Sequence, residues 1–304
     1  ISNWDGIALS LVQATPLIFT GLAVAFANNC GVFNIGAEGQ LYLGAMAAAV
    51  IGAFIPPLPH FFHLFLALLG GAIFGGLWAS IAAWLKVKAE ANEVIITIML
   101  NSIGILLCSY LANYVFKAPG PVAQTPEVHA SAALNRIGTG TQLSTALLVG
   151  LGLIIIIWVV LYRTKLGYEV RIVGANPRAV ATAGINVAGM TFVALFISGA
   201  LAGLGGAGQV LGLHSRFIDG FSPGYGFDGI AVAILGGNSP IGVLFAALLF
   251  GLLRAGGMVL DRTTKIPVDF VLIIQAAIIL FIAAPNILKF LKGGLKSART
   301  NTKQ

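Results

Sequence analysis

The chain alternates between long apolar stretches and short segments that carry its charged residues. Seven stretches contain no Asp, Glu, Lys or Arg: residues 6–37, 39–85, 94–116, 137–162, 179–213, 229–253 and 270–288. Because a membrane-spanning helix needs about 20 mostly apolar residues, each stretch can hold at least one span. The strands of a membrane β-barrel would show short alternating segments instead. The pattern predicts an all-α, polytopic membrane protein.

Turn-forming residues inside these stretches set the span boundaries. Residues 56–59 divide the second stretch in two, and residues 236–240 end a short apolar segment that begins at Tyr225. About nine spans are predicted. Five have both ends assigned: 8–28, 37–55, 64–85, 94–116 and 144–162. Three more begin near Gly189, Ser239 and Pro267, and the last is the short, broken segment 225–237. Broken helices at membrane depth are tolerated only where they are buried in protein or line a cavity. The short segment is thus the first indication of a transport pathway.

Basic residues predict the orientation, because Lys and Arg collect in the cytoplasmic loops of helical membrane proteins. The clusters placed in the cytoplasm are Lys86 and Lys88, then Arg163, Lys165, Arg171 and Arg178, and finally the basic tail 289–304. The short segment 225–237 must then cross the membrane, or dip into it and return, if the C-terminus is to be cytoplasmic. Residues 117–143 become the longest external loop. We expect one transmembrane domain over 1–304, with a further helix before Ile1 and about ten spans in the complete protein.

Composition supports the same class of protein. Hydrophobic residues make up 58% of the 304 residues and charged residues 9%, against about 25% charged in soluble domains. This excludes a cytosolic enzyme, a secreted disulfide scaffold and a disordered chain. The net charge of +7 is explained by the basic loops. Nucleic-acid binding is not expected, since no long basic surface interleaved with aromatic residues lies outside the apolar runs.

The predicted cytoplasmic loop 163–187 contains the signals of a short helix. Asn176 is a good N-cap, Pro177 suits the first helical position, and Gly184 suits a left-handed stop. A helix of about two turns is marginal in water, so it must pack on something. Its small side chains would let the groove of a partner protein approach closely, with Arg178 as a polar anchor; they are Ala179, Ala181 and Ala183. The alternative is an interfacial helix that lies on lipid.

Four segments resemble the permease subunits of bacterial ABC importers for simple sugars, nucleosides and branched-chain amino acids. They are residues 31–44, 91–101, 163–187 and 220–242. The chain is most similar to the larger permease of nucleoside (guanosine-type) importers that use a lipoprotein receptor. The resemblance implies a second permease subunit, two cytoplasmic ATP-binding subunits and an external substrate-binding lipoprotein, all at the bacterial plasma membrane. It also implies that Asn176–Gly184 is the coupling helix seated on the ATPase.

Two glycine-rich motifs bear on whether this chain could bind ATP or a dinucleotide cofactor. The phosphate-binding pattern GxxxxGK[ST] does not occur in the sequence, so we expect ATP to be hydrolysed by the partner subunits and no cofactor to be bound here. No catalytic or metal-binding constellation is found, and the chain is predicted not to be an enzyme. Residues 203–208 fit GxGxxG, but they lie in an apolar helical run rather than after a strand. Close helix packing through small residues is the better interpretation.

Glu38 is the strongest candidate for the substrate pathway. A charge at the bilayer centre costs about 2.5–3.5 kcal/mol on insertion scales, so such carboxylates are usually paired or face a pathway. The alternative is that Glu38 only caps the start of a span. We expect Glu38→Ala to lose uptake while the complex still assembles. Its polar neighbours Asn34 and Gln40 are assigned to the pathway as well.

Four more residues are candidates for substrate contacts. Asn101 and Gln209 could bond ribose hydroxyls or base edges, or could instead form interhelical hydrogen bonds. Phe227 and Asp228 would set an aromatic face beside a carboxylate, which suits a purine or a sugar ring. They could equally be the start of a helix with an acidic first turn.

The predicted function is inward transport of nucleosides, with ATP-driven motion of the coupling helix rocking the spans between two states. Within the same family the alternatives are a simple-sugar or branched-chain amino-acid permease. An ion-coupled secondary transporter is an alternative from another class, but it usually needs titratable residues at mid-membrane and repeated broken helices. A structural scaffold would tolerate polar-to-Ala changes along the spans.

Overall fold

The structure is a computed structural model that describes residues 4–138, 140–264, 270 and 273–277. In these ranges the chain forms ten α-helices: α1 Trp4–Asn29, α2 Ala37–Phe54, α3 His60–Ala89, α4 Glu93–Tyr110, α5 Ala146–Arg163, α6 Lys165–Ala175, α7 Pro177–Thr182, α8 Val187–Gln209, α9 Tyr225–Leu235 and α10 Pro240–Thr263. Two π-helical turns, Leu111–Val115 and Val210–His214, continue α4 and α8. The chain divides into two compact units after Leu252, and α1 to α9 lie wholly in the first.

Seven helices in the described part of the chain are long and apolar enough to cross a membrane, which confirms the polytopic all-α prediction. The short segment forms α9, which starts at the predicted Tyr225 but ends at Leu235 rather than at 237. Gly237 and Asn238, at φ +61° and +54°, separate it from α10. The largest boundary difference is in α3, which runs from His60 to Ala89 rather than over 64–85. The span expected near Pro267 and the basic tail 289–304 lie outside the described residues.

The centre of the first unit consists of α1, α2 and α8, and glycines let their backbones approach. Most of α1 and α2 is buried, including fourteen residues of α2. A Cβ added at Gly44 of α2 would collide with the backbone of Gly203 in α8, and one at Gly203 would collide with the Gly71 carbonyl in α3. The GxGxxG stretch 203–208 therefore serves close helix packing, as the sequence indicates.

One end of the helix bundle carries the basic clusters that the sequence assigns to the cytoplasm within the described residues, and it is called the basic end below. Lys86 at the end of α3 forms a 2.7 Å ion pair with Glu93 at the start of α4. Helices α6 and α7 lie at the same end, because Gly174 of α6 packs against the backbone of Asn29 and Gly31 where α1 ends. The sequence predicts a loop here, and α6 was not foreseen within it. Thr164 caps α6 by accepting the Gly167 N–H at 3.2 Å.

At the opposite end, the long loop after α4 pairs with the chain that follows α8. The Thr125 N–H donates to the Phe217 carbonyl at 3.0 Å, and the Val128 N–H donates to the Ser215 carbonyl at 2.9 Å. Two histidines, His60 and His63, lie at the start of helix α3. Of these, His63 is fully buried, with ring nitrogens 2.8 Å from Ser131 Oγ and 3.2 Å from the Ile51 carbonyl.

Candidate functional site

Helix α2 begins inside the membrane rather than at its surface. Residues 30–36, called the first break, lead from the end of α1 to the start of α2. Within the first break, Asn34 Nδ2 donates to Ser198 Oγ at 2.8 Å, and Ser198 Oγ donates to the Ala23 carbonyl at 2.6 Å. Ser198 lies eleven residues into α8, or about 16 Å along a helix. This is about half of the ~30 Å hydrocarbon core.

Buried amide side chains hold the first break in place. Asn34 and Gln40 pair head to tail, with Nδ2 to Oε1 at 2.9 Å and Nε2 to Oδ1 at 3.1 Å. Asn101 of α4 donates to the Ile35 carbonyl at 2.6 Å and accepts the Gly39 N–H at 2.7 Å. All three amides are almost fully buried. The structure therefore brings three predicted pathway residues together, and each makes hydrogen bonds within the chain.

Helix α9 also begins inside the membrane. It follows residues 215–224, called the second break, which lead down from the end of α8. Thr20 Oγ1 donates to the Tyr225 carbonyl at 2.9 Å, and Thr20 lies nine residues before the end of α1, about 13 Å along a helix. Ser222 Oγ caps α9 by accepting the N–H groups of Gly224 and Tyr225 at 3.3 and 3.2 Å.

Glu38 lies where the starts of α2 and α9 meet. Its Oε2 accepts the Gly226 N–H at 2.5 Å, and the side chain is 3% exposed. Gly226 is also packed directly against the backbone of Glu38, where a Cβ would collide. The carboxylate thus lies in the first turn of its own helix and caps a second helix, and both helix N-termini stabilise its negative charge. The position of Glu38 in the first turn of α2 can be read from the sequence. Its hydrogen bond to the start of α9 cannot, because Gly226 is 188 residues away.

The other predicted pathway residues lie at two different levels. Phe227 and Asp228 follow Gly226 in the first turn of α9, beside Glu38, and the Phe227 side chain is 49% exposed. Gln209 lies at the end of α8 towards the opposite end of the bundle and is 3% exposed. Its Oε1 has no hydrogen-bond partner among the residues that the structure describes. Gln209 is therefore separate from the Glu38 junction.

Three aromatic residues near Glu38 were not among the sequence candidates. The ring of Tyr42, one turn after Glu38 on α2, lies 4.8 Å from the ring of Phe221 in the second break. Phe221 also contacts Phe217, with ring centroids 5.5 Å apart. The helical spacing of Tyr42 from Glu38 was visible in the sequence. Its pairing with the second break was not, because such contacts between distant segments leave no local pattern.

The predicted short helix at the basic end is confirmed as α7. Asn176 Oδ1 accepts the Ala179 N–H at 3.1 Å, Pro177 is the first residue, and Gly184 has φ +81°. Arg178 and Ala179 are exposed, whereas the Val180 side chain is buried. The outer face of α7 is therefore accessible, and the helix packs through one apolar residue.

Comparison with known proteins places the chain in a family. The model for the permease component of branched-chain amino acid transport systems matches residues 6–283. The chain belongs to this family. It is a transport subunit that spans the membrane, and the relatives it resembles are permease subunits rather than ATPases. No solved structure shows a significant match.

Three relatives illustrate the range of named substrates. The guanosine ABC transporter permease protein NupP of Bacillus subtilis is 38% identical over 98% of this chain and 88% of its own length. The glucose ABC transporter permease protein TsgB13 of Haloferax volcanii is 35% identical, covering 97% and 80%. The nucleoside ABC transporter permease protein NupB of Lactococcus lactis is 34% identical, covering 94% and 81%.

Bacillus subtilis and Lactococcus lactis each also have a second permease protein of the same named substrate, at 30% and 31% identity. Permeases similar to this one thus occur in pairs.

Proposed function

We propose that this permease carries nucleosides inward across the bacterial plasma membrane, as a membrane subunit of an ATP-driven importer. Two of the three relatives above are named as guanosine or nucleoside permeases. The observation that carries the proposal is the junction of Glu38 with Gly226, where a buried carboxylate accepts a hydrogen bond from the helix whose next residue is the half-exposed Phe227. A carboxylate accepts hydrogen bonds from sugar hydroxyls and base N–H groups, and an aromatic face stacks on a base.

The predicted pathway residues take different parts in this proposal. Glu38, Phe227 and Asp228 line the passage at the start of α9. Asn34, Gln40 and Asn101 hold the first break, so that Glu38 stays at its depth in the membrane. Gln209 lies nearer the opposite end, where a substrate would enter from the receptor.

The partners follow from the same proposal. A second permease completes the passage, cytoplasmic ATP-binding subunits bind at the basic end, and an extracytoplasmic lipoprotein delivers the substrate. The segment Asn176–Gly184 seats on an ATP-binding subunit through the exposed side of α7, with Arg178 and Ala179 at the contact. The partner subunits hydrolyse the ATP, and this chain binds no cofactor. The basic end faces the cytoplasm, and the same rule assigns the basic C-terminal sequence to the cytoplasm.

A contiguous set of contacts connects α7 with Glu38. Helix α6 directly precedes α7, and its Gly174 packs on the backbone of Asn29 and Gly31. From Gly31 the first break leads to α2 and Glu38, which holds the start of α9. A displacement of α7 by the ATP-binding subunits would therefore shift the junction between two arrangements.

Uptake of labelled guanosine tests the proposal, in cells that express the full chain with its partner subunits. We expect Glu38→Gln to reduce uptake at least about tenfold while the complex still assembles, because the neutral amide loses a charge-assisted hydrogen bond. Glu90→Gln, at an exposed acid after α3, is the matched control and should transport normally. Full uptake by Glu38→Gln would remove the junction from the pathway.

Competition separates the candidate substrates. Unlabelled guanosine should block uptake, whereas glucose and leucine should not. The glucose permease among the relatives makes simple sugars the second candidate, and competition by glucose alone would favour it. Uptake that persists when the membrane potential is dissipated, with ATP retained, excludes an ion-coupled mechanism.

A further inference from the structure

An apolar groove lies between α3 and α4, with α2 as its floor. Leu43, Met46 and Ala47 of α2 form the floor and are buried. The walls come from the two outer helices and include Leu77 of α3 and Leu107 of α4. The groove has a volume of about 600 Å³. Its outer wall residues are exposed, so the groove opens sideways towards the hydrocarbon of the membrane.

The groove suits a hydrocarbon chain rather than a polar solute. Its lining side chains are aliphatic or aromatic, and the indole N–H of Trp78 is already donated to the Leu100 carbonyl at 3.1 Å. Along α4 and the π-helical turn that continues it, the lining runs from Leu107 to Phe116, nine residues or at most about 13 Å at the α-helical rise. This length matches one leaflet of a ~30 Å hydrocarbon core.

A cation lies where the groove reaches the end of α4. Phe116 packs on Phe54, the last residue of α2, with ring centroids 5.4 Å apart, so α2 and the π-helical turn after α4 end at this level. Lys117 follows directly and is exposed. It forms no ion pair with any residue in 4–138 or 140–264, the main ranges that the structure describes. The site therefore joins a hydrocarbon groove to an available ammonium group.

We propose that this groove binds an anionic phospholipid, with one acyl chain between α3 and α4 and the phosphate at Lys117. Hydrocarbon contacts fill the groove, and the ammonium group selects the charge of the head group. The floor residues share α2 with Glu38, so a bound lipid supports the helix that carries the carboxylate. The proposal does not depend on which solute the permease carries.

Native mass spectrometry of the purified full chain tests the head-group preference. The probes are phosphatidylglycerol and phosphatidylcholine with identical acyl chains. We expect about fivefold more phosphatidylglycerol bound, the effect of one lysine near an anionic head group. Lys117→Gln should abolish this preference, and Arg136→Gln, an exposed cation at the same end, should keep it. Equal binding of the two lipids by the unaltered chain would overturn the proposal.

Filling the groove tests its location. We expect Ala47→Trp to lose most of both lipid adducts, whereas Leu148→Trp, on an exposed face of α5, should keep them. If Ala47→Trp fails to fold, Leu77→Trp at the exposed wall replaces it with the same expected loss. Retention of the phosphatidylglycerol adduct by a folded groove variant would contradict the proposal. So would a photo-cross-linker at position 77 that captures a protein helix rather than lipid.

Discussion

Two breaks bring helix starts into the membrane, and they are stabilised in different ways. The first break, residues 30–36, is held by buried amides, and Asn34 alone makes four hydrogen bonds to Gln40, Ser198 and Gly36. The second break, residues 215–224, is held at its start by backbone hydrogen bonds from the long loop to Ser215 and Phe217, and next to α9 by the Ser222 hydroxyl and aromatic packing. Buried hydrogen-bond networks fix one geometry, whereas aromatic contacts tolerate small displacements.

The first break is also more deeply buried than the second. Asn34 is fully buried, whereas Pro223 in the second break and Phe227 just after it are exposed. Glu38 connects the two, since it belongs to the helix of the first break and caps the helix of the second. The comparison indicates that the first break is a fixed support, and in the proposed passage the second break is the part that adapts to a substrate.

The largest effect is expected from Asn34→Ala. The change leaves the Gln40 amide and the Gly36 N–H without their Asn34 partner, at about 1–3 kcal/mol each, and removes one of the two hydrogen bonds of Ser198. We expect the free energy of unfolding to fall by about 3–6 kcal/mol, measured as thermal unfolding and yield of the purified chain. Asn135→Ala, at an exposed amide of the long loop, should have little effect. Normal stability of Asn34→Ala would show that the first break is not a fixed support.

A smaller structural change with a large functional effect is expected from Gly174→Ala. The added methyl group would collide with the Asn29 carbonyl and move α6 away from the end of α1. In the proposed importer, uptake should fall several-fold while ATP hydrolysis by the assembled complex continues. Gly152→Ala is the control, because a Cβ there meets nothing within 4 Å. If uptake and hydrolysis remain coupled in Gly174→Ala, the first break does not transmit the motion of α7.

The sequence predicted the elements better than their contacts. The bounds of α9 and the caps of α7 follow from local signals, namely glycines at left-handed positions and an Asn–Pro pair at a helix start. The amide candidates were found because polar residues are rare in apolar spans. Their pairing with Ser198 and the capping of α9 by Glu38 join segments far apart in the chain. No local periodicity encodes such contacts. Helix α6 was missed because it has only 11 residues and its loop is rich in charge.

A moderate effect is expected from Ser222→Ala in the second break. The change removes the acceptor for the N–H groups of Gly224 and Tyr225, a loss of about 1 kcal/mol for a hydrogen bond. We expect the chain to stay folded and the concentration of guanosine that gives half-maximal uptake to rise a few-fold. Ser102→Ala, on an exposed face of α4, is the matched control. A collapse in stability like that expected for Asn34→Ala would mean that the two breaks are equally rigid.

The least perturbing prediction uses the native Cys30 at the start of the first break. Burial raises the pKa of its thiol to about 11, although Lys86 acts in the opposite direction. Only the thiolate reacts with maleimides, so at pH 8 we expect labelling about two orders of magnitude slower than for an exposed cysteine of pKa ~8.5. The measurement uses a Cys108→Ala chain, in which Cys30 is the remaining cysteine.

The pH dependence separates a raised pKa from simple obstruction of the reagent. The labelling rate of Cys30 should keep rising about tenfold per pH unit up to about pH 10, because the thiolate fraction grows until the pKa is reached. Pro223→Cys, placed in the second break of a chain without Cys30 and Cys108, should react quickly and level off near pH 9. Equal rates and equal pH profiles at the two positions would show that the breaks are equally accessible, and the distinction between a fixed support and an adaptable passage would then fail.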